Sequence, residues 1–291
     1  MDLEVQLAIS DAICAATGEP FRVKTIAQSL GGCIHTSAVL SDEWRSFFVK
    51  VNTRSSKQLF SSEATALRYL KASQAMRVPE VIAQGDCPQA SFLVLEALEF
   101  ATRPQNDSWQ DFGRQLAELH QASTDRYGWI EPNFIGATPQ QNEWNDRWAE
   151  FFRDQRLIPQ FDLAKRNGYT LDDAGRVLDC ASQLLDQHRP EASLLHGDLW
   201  SGNAAFLTDG SPVLYDPASY FGDRETDLAF SRYFGGFPAD FYASYQEAWP
   251  LPDGFIQREP LYNLYHVLNH LNLFGGSYVK QAMQLIGELL N

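Results

Sequence analysis

The stretch that decides the fold reads Leu194-Leu195-His196-Gly197-Asp198-Leu199-Trp200-Ser201-Gly202-Asn203, then 204–207, Thr208-Asp209-Gly210-Ser211 and Val213-Leu214-Tyr215-Asp216. Asp209-Gly210 between two short apolar runs signals a hairpin, because a two-residue type I′ turn needs positive φ at both central positions. With that pair as turn centre, Asn203 and Asp216 are equidistant from it and face each other at the open end. Directly opposed residues hold their Cβ atoms about 4.5 to 5.5 Å apart, so an amide oxygen meets a carboxylate there. Such a pair can hold Mg2+, which takes oxygen ligands at about 2.0 to 2.1 Å and leaves positions for water and phosphate. Asp198 precedes Asn203 by five residues across a glycine-containing loop and can return to the same point as a general base. Taken singly, each residue is better explained as a turn cap at a solvated hairpin base. The three in this arrangement favour a site.

Working toward the N-terminus, short β-like runs dominate at 21–26, 36–40, 47–51, 81–82 and 92–96, interrupted by a helix at 58–71. On that helix Phe60, Ala64, Leu67 and the Lys71 stem share one face. Between the first two runs, Gly31-Gly32-Cys33 offers backbone that can approach a phosphate closely, although a diglycine between strands is also an ordinary hairpin. Cys33 beside such amides and near Lys50 would favour the thiolate. Lys50 interrupts the apolar run Phe47-Phe48-Val49-Lys50-Val51. A surface lysine on an edge strand is the plainer alternative.

After Leu98 the pattern becomes helical. Ser108 with Asp111, and Thr170 with Asp173, have capping-box spacing ahead of apolar stripes. A β-rich lobe at 1–98 and a mainly helical lobe at 99–291 would leave a cleft between them, where small ligands usually bind. The 291 residues suffice for such a body. The 23 Lys+Arg against 37 Asp+Glu, a net charge of -14, count against nucleic acid and anionic membrane as partners. No apolar run is long enough to span a bilayer, and the acidic N-terminus does not fit a presequence, so a cytoplasmic location is expected. The four cysteines show no zinc-ligand spacing and read as free thiols.

His-x-Asp-x4-Asn followed by a hairpin and an Asp resembles the catalytic and metal-binding segments of protein-kinase-like phosphotransferases, including aminoglycoside and choline kinases. The fuller wording, from His196 to Asn203 and then Asp216-Pro-Ala-Ser-Tyr-Phe-Gly-Asp-Arg-Glu-Thr-Asp-Leu-Ala229, is similar to the fructosamine-3-kinase (ketosamine-3-kinase) family. Asn133-Phe-Ile-Gly136, 148–157 and 264–275 extend the resemblance over most of the chain. It implies an α+β, bilobal protein-kinase-like fold and an ATP- and Mg2+-dependent kinase acting on O3 of a small ketosamine or of glycated lysine. It implies Asp198 as catalytic base, Asn203 and Asp216 as metal ligands, and His196 as a structural brace of the loop. Gly31, Gly32, Cys33 and Lys50 would serve the nucleotide phosphates, with Glu63 on the following helix as the partner of Lys50 and the backbone of Glu96 and Leu98 on the adenine edge. Trp200, two residues after the base, is expected against the sugar and its amine. Three alternatives stay open: a kinase of another hydroxylated amine, a nucleotide-binding pseudokinase, and a metal-dependent hydrolase using His196 and Asp198.

Overall fold

The computed structural model describes residues 1–28, 35–105 and 107–291. Helix α1 (Leu3–Thr17) starts where the Asp2 carboxylate accepts from the Glu4 amide, and stops at Gly18. Five strands follow: β1 (Thr25–Gln28), β2 (Thr36–Ser41), β3 (Ser46–Asn52), β4 (Val81–Asp86) and β5 (Ser91–Glu96), with helix α2 (Lys57–Ala72) between β3 and β4. All pairs are antiparallel, in the order β1-β2-β3-β5-β4. The strand expected at 21–26 begins only at Thr25. The Phe21 amide donates to the Cys14 sulfur (3.0 Å) and its ring is buried under α1, which keeps this segment out of the ladder.

The sheet is covered on both faces, so its central strands read as apolar runs. Phe47, Val49, Phe92 and Val94 pack with Val5, Ile9 and Ile13 of α1. The alternate residues Leu93 and Leu95 pack with Phe60, Ala64 and Leu67 of α2. Period-two alternation therefore turns Lys50 toward α2, beside Phe48 and away from α1. That orientation is what brings the lysine to Glu63.

The rest of the chain is mainly helical: α3 (Ser108–Gln121), α4 (Trp148–Phe152), α5 (Ile158–Arg166), α6 (Ala174–Asp186), α7 (Glu225–Gly235), α8 (Ala239–Ala248), α9 (Phe255–Phe274) and α10 (Val279–Leu290). Short strands β6 (Ser123–Thr124), β9 (Ala192–Leu194) and β12 (Phe221–Gly222) make one small sheet. β7 (Asn133–Ile135) with β8 (Thr138–Gln140), and β10 (Ala204–Phe206) with β11 (Pro212–Leu214), make two hairpins. This α+β, kinase-like body matches the expected fold class. Among the described residues no helix is long and apolar enough to cross a membrane.

Neither expected capping box forms. α3 starts behind Asp107, and the Ser108 hydroxyl donates instead to the Gly210 carbonyl (2.8 Å), a tertiary bond to the β10–β11 turn. α6 starts behind Asp173 with no side-chain cap, and that carboxylate accepts from Arg176. Tertiary and ionic partners outcompete the local cap.

α3 and α8 approach closely at Gly113, where an added Cβ would lie 2.3 Å from the Phe241 carbonyl oxygen and 3.0 Å from the Tyr245 nitrogen. Gly113→Ala gains about 1 kcal/mol of helix propensity. Forcing backbone apart in a packed interior costs typically 1–3 kcal/mol and more against a carbonyl, so the clash wins. The expected result is a melting temperature several degrees lower, read by differential scanning fluorimetry.

Candidate active site

β9 delivers the chain into residues 195–203, and this loop is held from beneath by one buried carboxylate. Asp227 on α7 accepts from the His196 amide at Oδ2 (2.7 Å) and from the Gly197 amide at Oδ1 (2.9 Å). His120 Nε2 donates to Oδ2 as well (3.2 Å). Burial alone would push the Asp227 carboxyl up; the His120 contact and the neighbouring imidazoles outweigh it and hold the group below the ordinary aspartate range. Asp227 is therefore an ionised anchor for two successive amides.

His196 is fully buried, which keeps its pKa below the ordinary histidine value and the ring neutral. A neutral imidazole offers one donor and one acceptor. Nε2–H donates to the Tyr215 carbonyl (3.0 Å), and Nδ1 accepts from the Asp198 amide (3.3 Å). The ring thus ties the Asp198 loop to the residue preceding Asp216. Its position is that of a brace, with no atom on the cleft surface.

Asp198 is clamped by Asn203, whose Nδ2 donates to both the Asp198 carbonyl and Oδ2, each at 2.9 Å. Burial pushes the Asp198 carboxyl up to about 7, the Asn203 bond opposing and the charges of Asp216 and Asp227 adding to the rise. Lys50 Nζ lies 2.6 Å from Glu63 Oε1 and 2.6 Å from Asp216 Oδ1. Burial would draw this ammonium down, but Glu63 and Asp216 together hold its pKa above the ordinary lysine value. Lys50 is thus a permanent cation joining the sheet, α2 and the segment after β11.

The hairpin register differs from the expectation. Ala204 pairs with Leu214 and Phe206 with Pro212, so Asn203 faces Tyr215, whose amide donates to its carbonyl (3.1 Å). Gly210 alone in the turn has positive φ (91°); its amide donates to the Leu207 carbonyl and the Leu207 amide to the Ser211 carbonyl. These bonds close residues 208–210 as a three-residue loop, a turn followed by a glycine bulge, instead of a two-residue loop centred on Asp209-Gly210. A one-residue slip would turn Asp216 to the other face. Asp216 leaves the ladder at φ 57°, a left-handed conformation that aspartate tolerates, and lines the same cleft as Asn203.

Lys50, Glu63, Asp198, Trp200, Asn203 and Asp216 line one cleft. Glu96 and Leu98 stand outside that lining, at and beyond the end of β5. The Glu96 amide donates to the Glu80 carbonyl (2.9 Å) and its carboxylate pairs with Arg77. Gly31, Gly32 and Cys33 lie outside the described residues. The donor set suits a hard cation. After the contacts above, Asn203 Oδ1 and Asp216 Oδ2 keep lone pairs without a partner among the described residues, and both are oxygens. A second carboxylate–imidazole cluster, His188, Asp223 and Glu225, offers no such vacancy: His188 and Tyr262 donate to Asp223, and Arg258 binds both oxygens of Glu225.

A sheet lysine paired with a helix glutamate, opposed to a braced Asp-x4-Asn loop and a second aspartate, defines a protein-kinase-like phosphotransferase. The fructosamine kinase family model matches residues 5–291, and the chain belongs to that family. A probable ketoamine kinase of Synechocystis is 47% identical over 283 residues, covering 97% of this chain and 96% of the relative. A chloroplastic protein-ribulosamine 3-kinase of Oryza sativa subsp. indica is 38% identical over 279 residues, covering 94% and 81%. A crystal structure described as a "putative fructosamine-3-kinase" from Haemophilus somnus superposes with a TM-score of 0.92 at 33% identity, covering 97% of each chain.

Asp227 and His120 went unassigned in the sequence reading. The available signal was two carboxylates, Glu225 and Asp227, at the head of a helix that runs on into Leu228-Ala229-Phe230, where charges turned inward must have partners. The partners of Asp227 come from loop amides, which spacing does not show.

Proposed function

We propose that this chain is an ATP- and Mg2+-dependent kinase that phosphorylates ketosamines, fructosamine or ribulosamine, on the sugar O3 hydroxyl. The observation that carries this reading is the meeting in one cleft of the Lys50–Glu63–Asp216 chain with the Asp198–Asn203 clamp. The names of its relatives supply the substrate class. Residues 1–98 would serve as the nucleotide lobe and 99–291 as the catalytic and substrate lobe, in a cytoplasmic enzyme whose substrate is a small sugar-amine or glycated lysine.

Asp198, fixed by Asn203, orients the attacking hydroxyl and takes its proton as the new O–P bond forms and the bond from the γ-phosphorus to the departing ADP breaks. Lys50 contributes positive charge to the nucleotide phosphates, and Glu63 keeps the ammonium in place. Asn203 Oδ1 and the Asp216 carboxylate would hold Mg2+, which neutralises charge on the transferring phosphoryl group when bound. Gly31, Gly32 and Cys33 would present amides to the phosphates, and the backbone at Glu96 and Leu98 would meet the adenine edge. In the product, the phosphate sits on C3, the carbon α to the C2 carbonyl, and becomes an allylic leaving group once C1 loses a proton to give the 1,2-enaminol. Loss of the C3 phosphate with a proton from the carbon chain, followed by hydrolysis at C1, releases inorganic phosphate, a deoxyosone and the free amine.

The direct test is mass spectrometry of fructosyl- and ribulosyl-amines after incubation with Mg-ATP, with aminoglycosides and choline alongside. One added phosphoryl group on the ketosamines alone is the expected result. Transfer only to the other amines would overturn it.

Trp200 is 38% exposed, lines the cleft, and lies over Gly202, where any side chain would meet the indole. A protonated amine over that ring gains about 0.5 to 2 kcal/mol. Trp200→Ala should therefore raise KM for ketosamine by about 2- to 30-fold while KM for ATP holds. Parallel loss of ATP affinity and melting temperature would assign the indole to packing.

A further inference from the structure

The last turns of α9 line the cleft through Asn269, His270, Leu273 and Phe274. Asn269 is only 2% exposed, yet it lines the cleft. Its Oδ1 accepts from Gln160 Nε2 on α5 (3.2 Å), whereas Nδ2 has no partner among the described residues. The Nδ2 is not among the enclosed unpaired atoms, so it opens onto the cleft, where it can donate to an acceptor on a ligand.

The orientation of this amide is fixed from a distance. Asn272 Nδ2 donates to the Gln160 backbone carbonyl (3.0 Å), which can only accept, and that settles which end of Asn272 is the nitrogen. The same Nδ2 donates to Gln160 Oε1 (2.8 Å), so the other end of Gln160 must be its NH2, directed at Asn269 Oδ1. Asn167 Nδ2 completes the relay by donating to Asn272 Oδ1 (3.1 Å) and, more weakly, to the Asn272 carbonyl (3.4 Å). Four amides thus point one way, anchored on backbone carbonyls. The relay ends in a donor at the cleft.

Asn269 shares its cleft with Asp198, the proposed base. Tyr265, one helical turn before Asn269, donates its hydroxyl to Gln140 Oε1 (2.5 Å), in the β7–β8 hairpin whose Asn133–Gly136 segment also lines the cleft. We propose that Asn269 is a specificity-determining residue whose Nδ2 donates to an oxygen of the substrate's sugar, carbonyl or hydroxyl, with Gln160 and Asn272 as its positioning residues. This assignment rests on the ketosamine reading.

The test is steady-state kinetics of wild type, Asn269→Ala and Gln160→Leu with a ketosamine and Mg-ATP, with melting temperatures measured in parallel. Gln160 lies behind Asn269, and its loss leaves Asn272 bonded to the same backbone carbonyl, so this variant remains readable where Asn269→Ala fails to fold. Removing a neutral donor from a site built around it should raise ketosamine KM by about tenfold in Asn269→Ala. Releasing the amide to rotate should raise it several-fold in Gln160→Leu. KM for ATP should stay within about twofold in both, because uniform loss of substrate binding appears in that substrate's KM. Unchanged ketosamine KM in Gln160→Leu, or equal shifts for ATP, overturns the assignment while leaving the kinase reading intact. A wild-type protein that transfers nothing to any ketosamine overturns both.

Discussion

Asp198→Asn should lower kcat by about 10² to 10⁴, the usual contribution of a positioned acid or base, with KM for ATP near that of wild type. The geometry makes this substitution unusually clean. Asn203 Nδ2 holds both the Asp198 carbonyl and Oδ2, so the new amide would turn its oxygen to that clamp and its NH2 toward the substrate. The group facing the sugar hydroxyl would change from acceptor to donor. The loop itself would stay, because it hangs from Asp227 and His196 through backbone amides that the substitution does not touch. Single-turnover phosphoryl transfer together with ATP binding by fluorescence separates the two effects. Retained turnover would remove Asp198 from proton transfer, and a matching loss of ATP affinity would move it to the metal side.

The parts of the site legible in the sequence are those whose geometry is local. His196, Asp198 and Asn203 sit within one short loop, so their order alone brings them together. Lys50 showed because a charge interrupts an apolar strand run that is buried on both faces, and the kinase-like resemblance pointed to Glu63 on the following helix as its partner. The hairpin register was out of reach because the choice between a two-residue loop and a bulged loop rests on the conformation of Asp209, which either turn accommodates. The capping boxes expected at Ser108 and Thr170 failed for the opposite reason: Ser108 found a partner in Gly210, 102 residues along the chain, and Asp173 pairs with Arg176 one turn further on its own helix. Asn269 illustrates the limit most clearly. Its amide is oriented by Gln160, 109 residues away, through Asn272, and an asparagine in an amphipathic helix carries no mark of that relay.

Asp216 carries the second large effect, and its backbone dictates how it must be tested. At φ 57° an alanine would add about 1–2 kcal/mol of left-handed strain to the loss of the carboxylate, mixing two causes. Glycine adopts this conformation freely and asparagine tolerates it, so Asp216→Gly and Asp216→Asn isolate the chemistry. Asp216→Asn keeps one oxygen for a cation but loses the charge, and it also loses the carboxylate that pairs with Lys50 at 2.6 Å. Asp216→Gly loses every side-chain oxygen. Lys50 remains neutralised by Glu63 at 2.6 Å in both variants, which keeps the buried ammonium paired and the fold intact. The expected order of activity at fixed magnesium is wild type, then Asp216→Asn, then Asp216→Gly, with kcat/KM for ATP falling by roughly 10² or more in the last. The magnesium concentration for half-maximal rate should rise in the same order, and excess magnesium should recover part of the loss in Asp216→Asn only. Were both variants to keep the wild-type magnesium dependence, Asp216 would be a partner of Lys50 alone, and the cation would have to be held by Asn203 and Asp198.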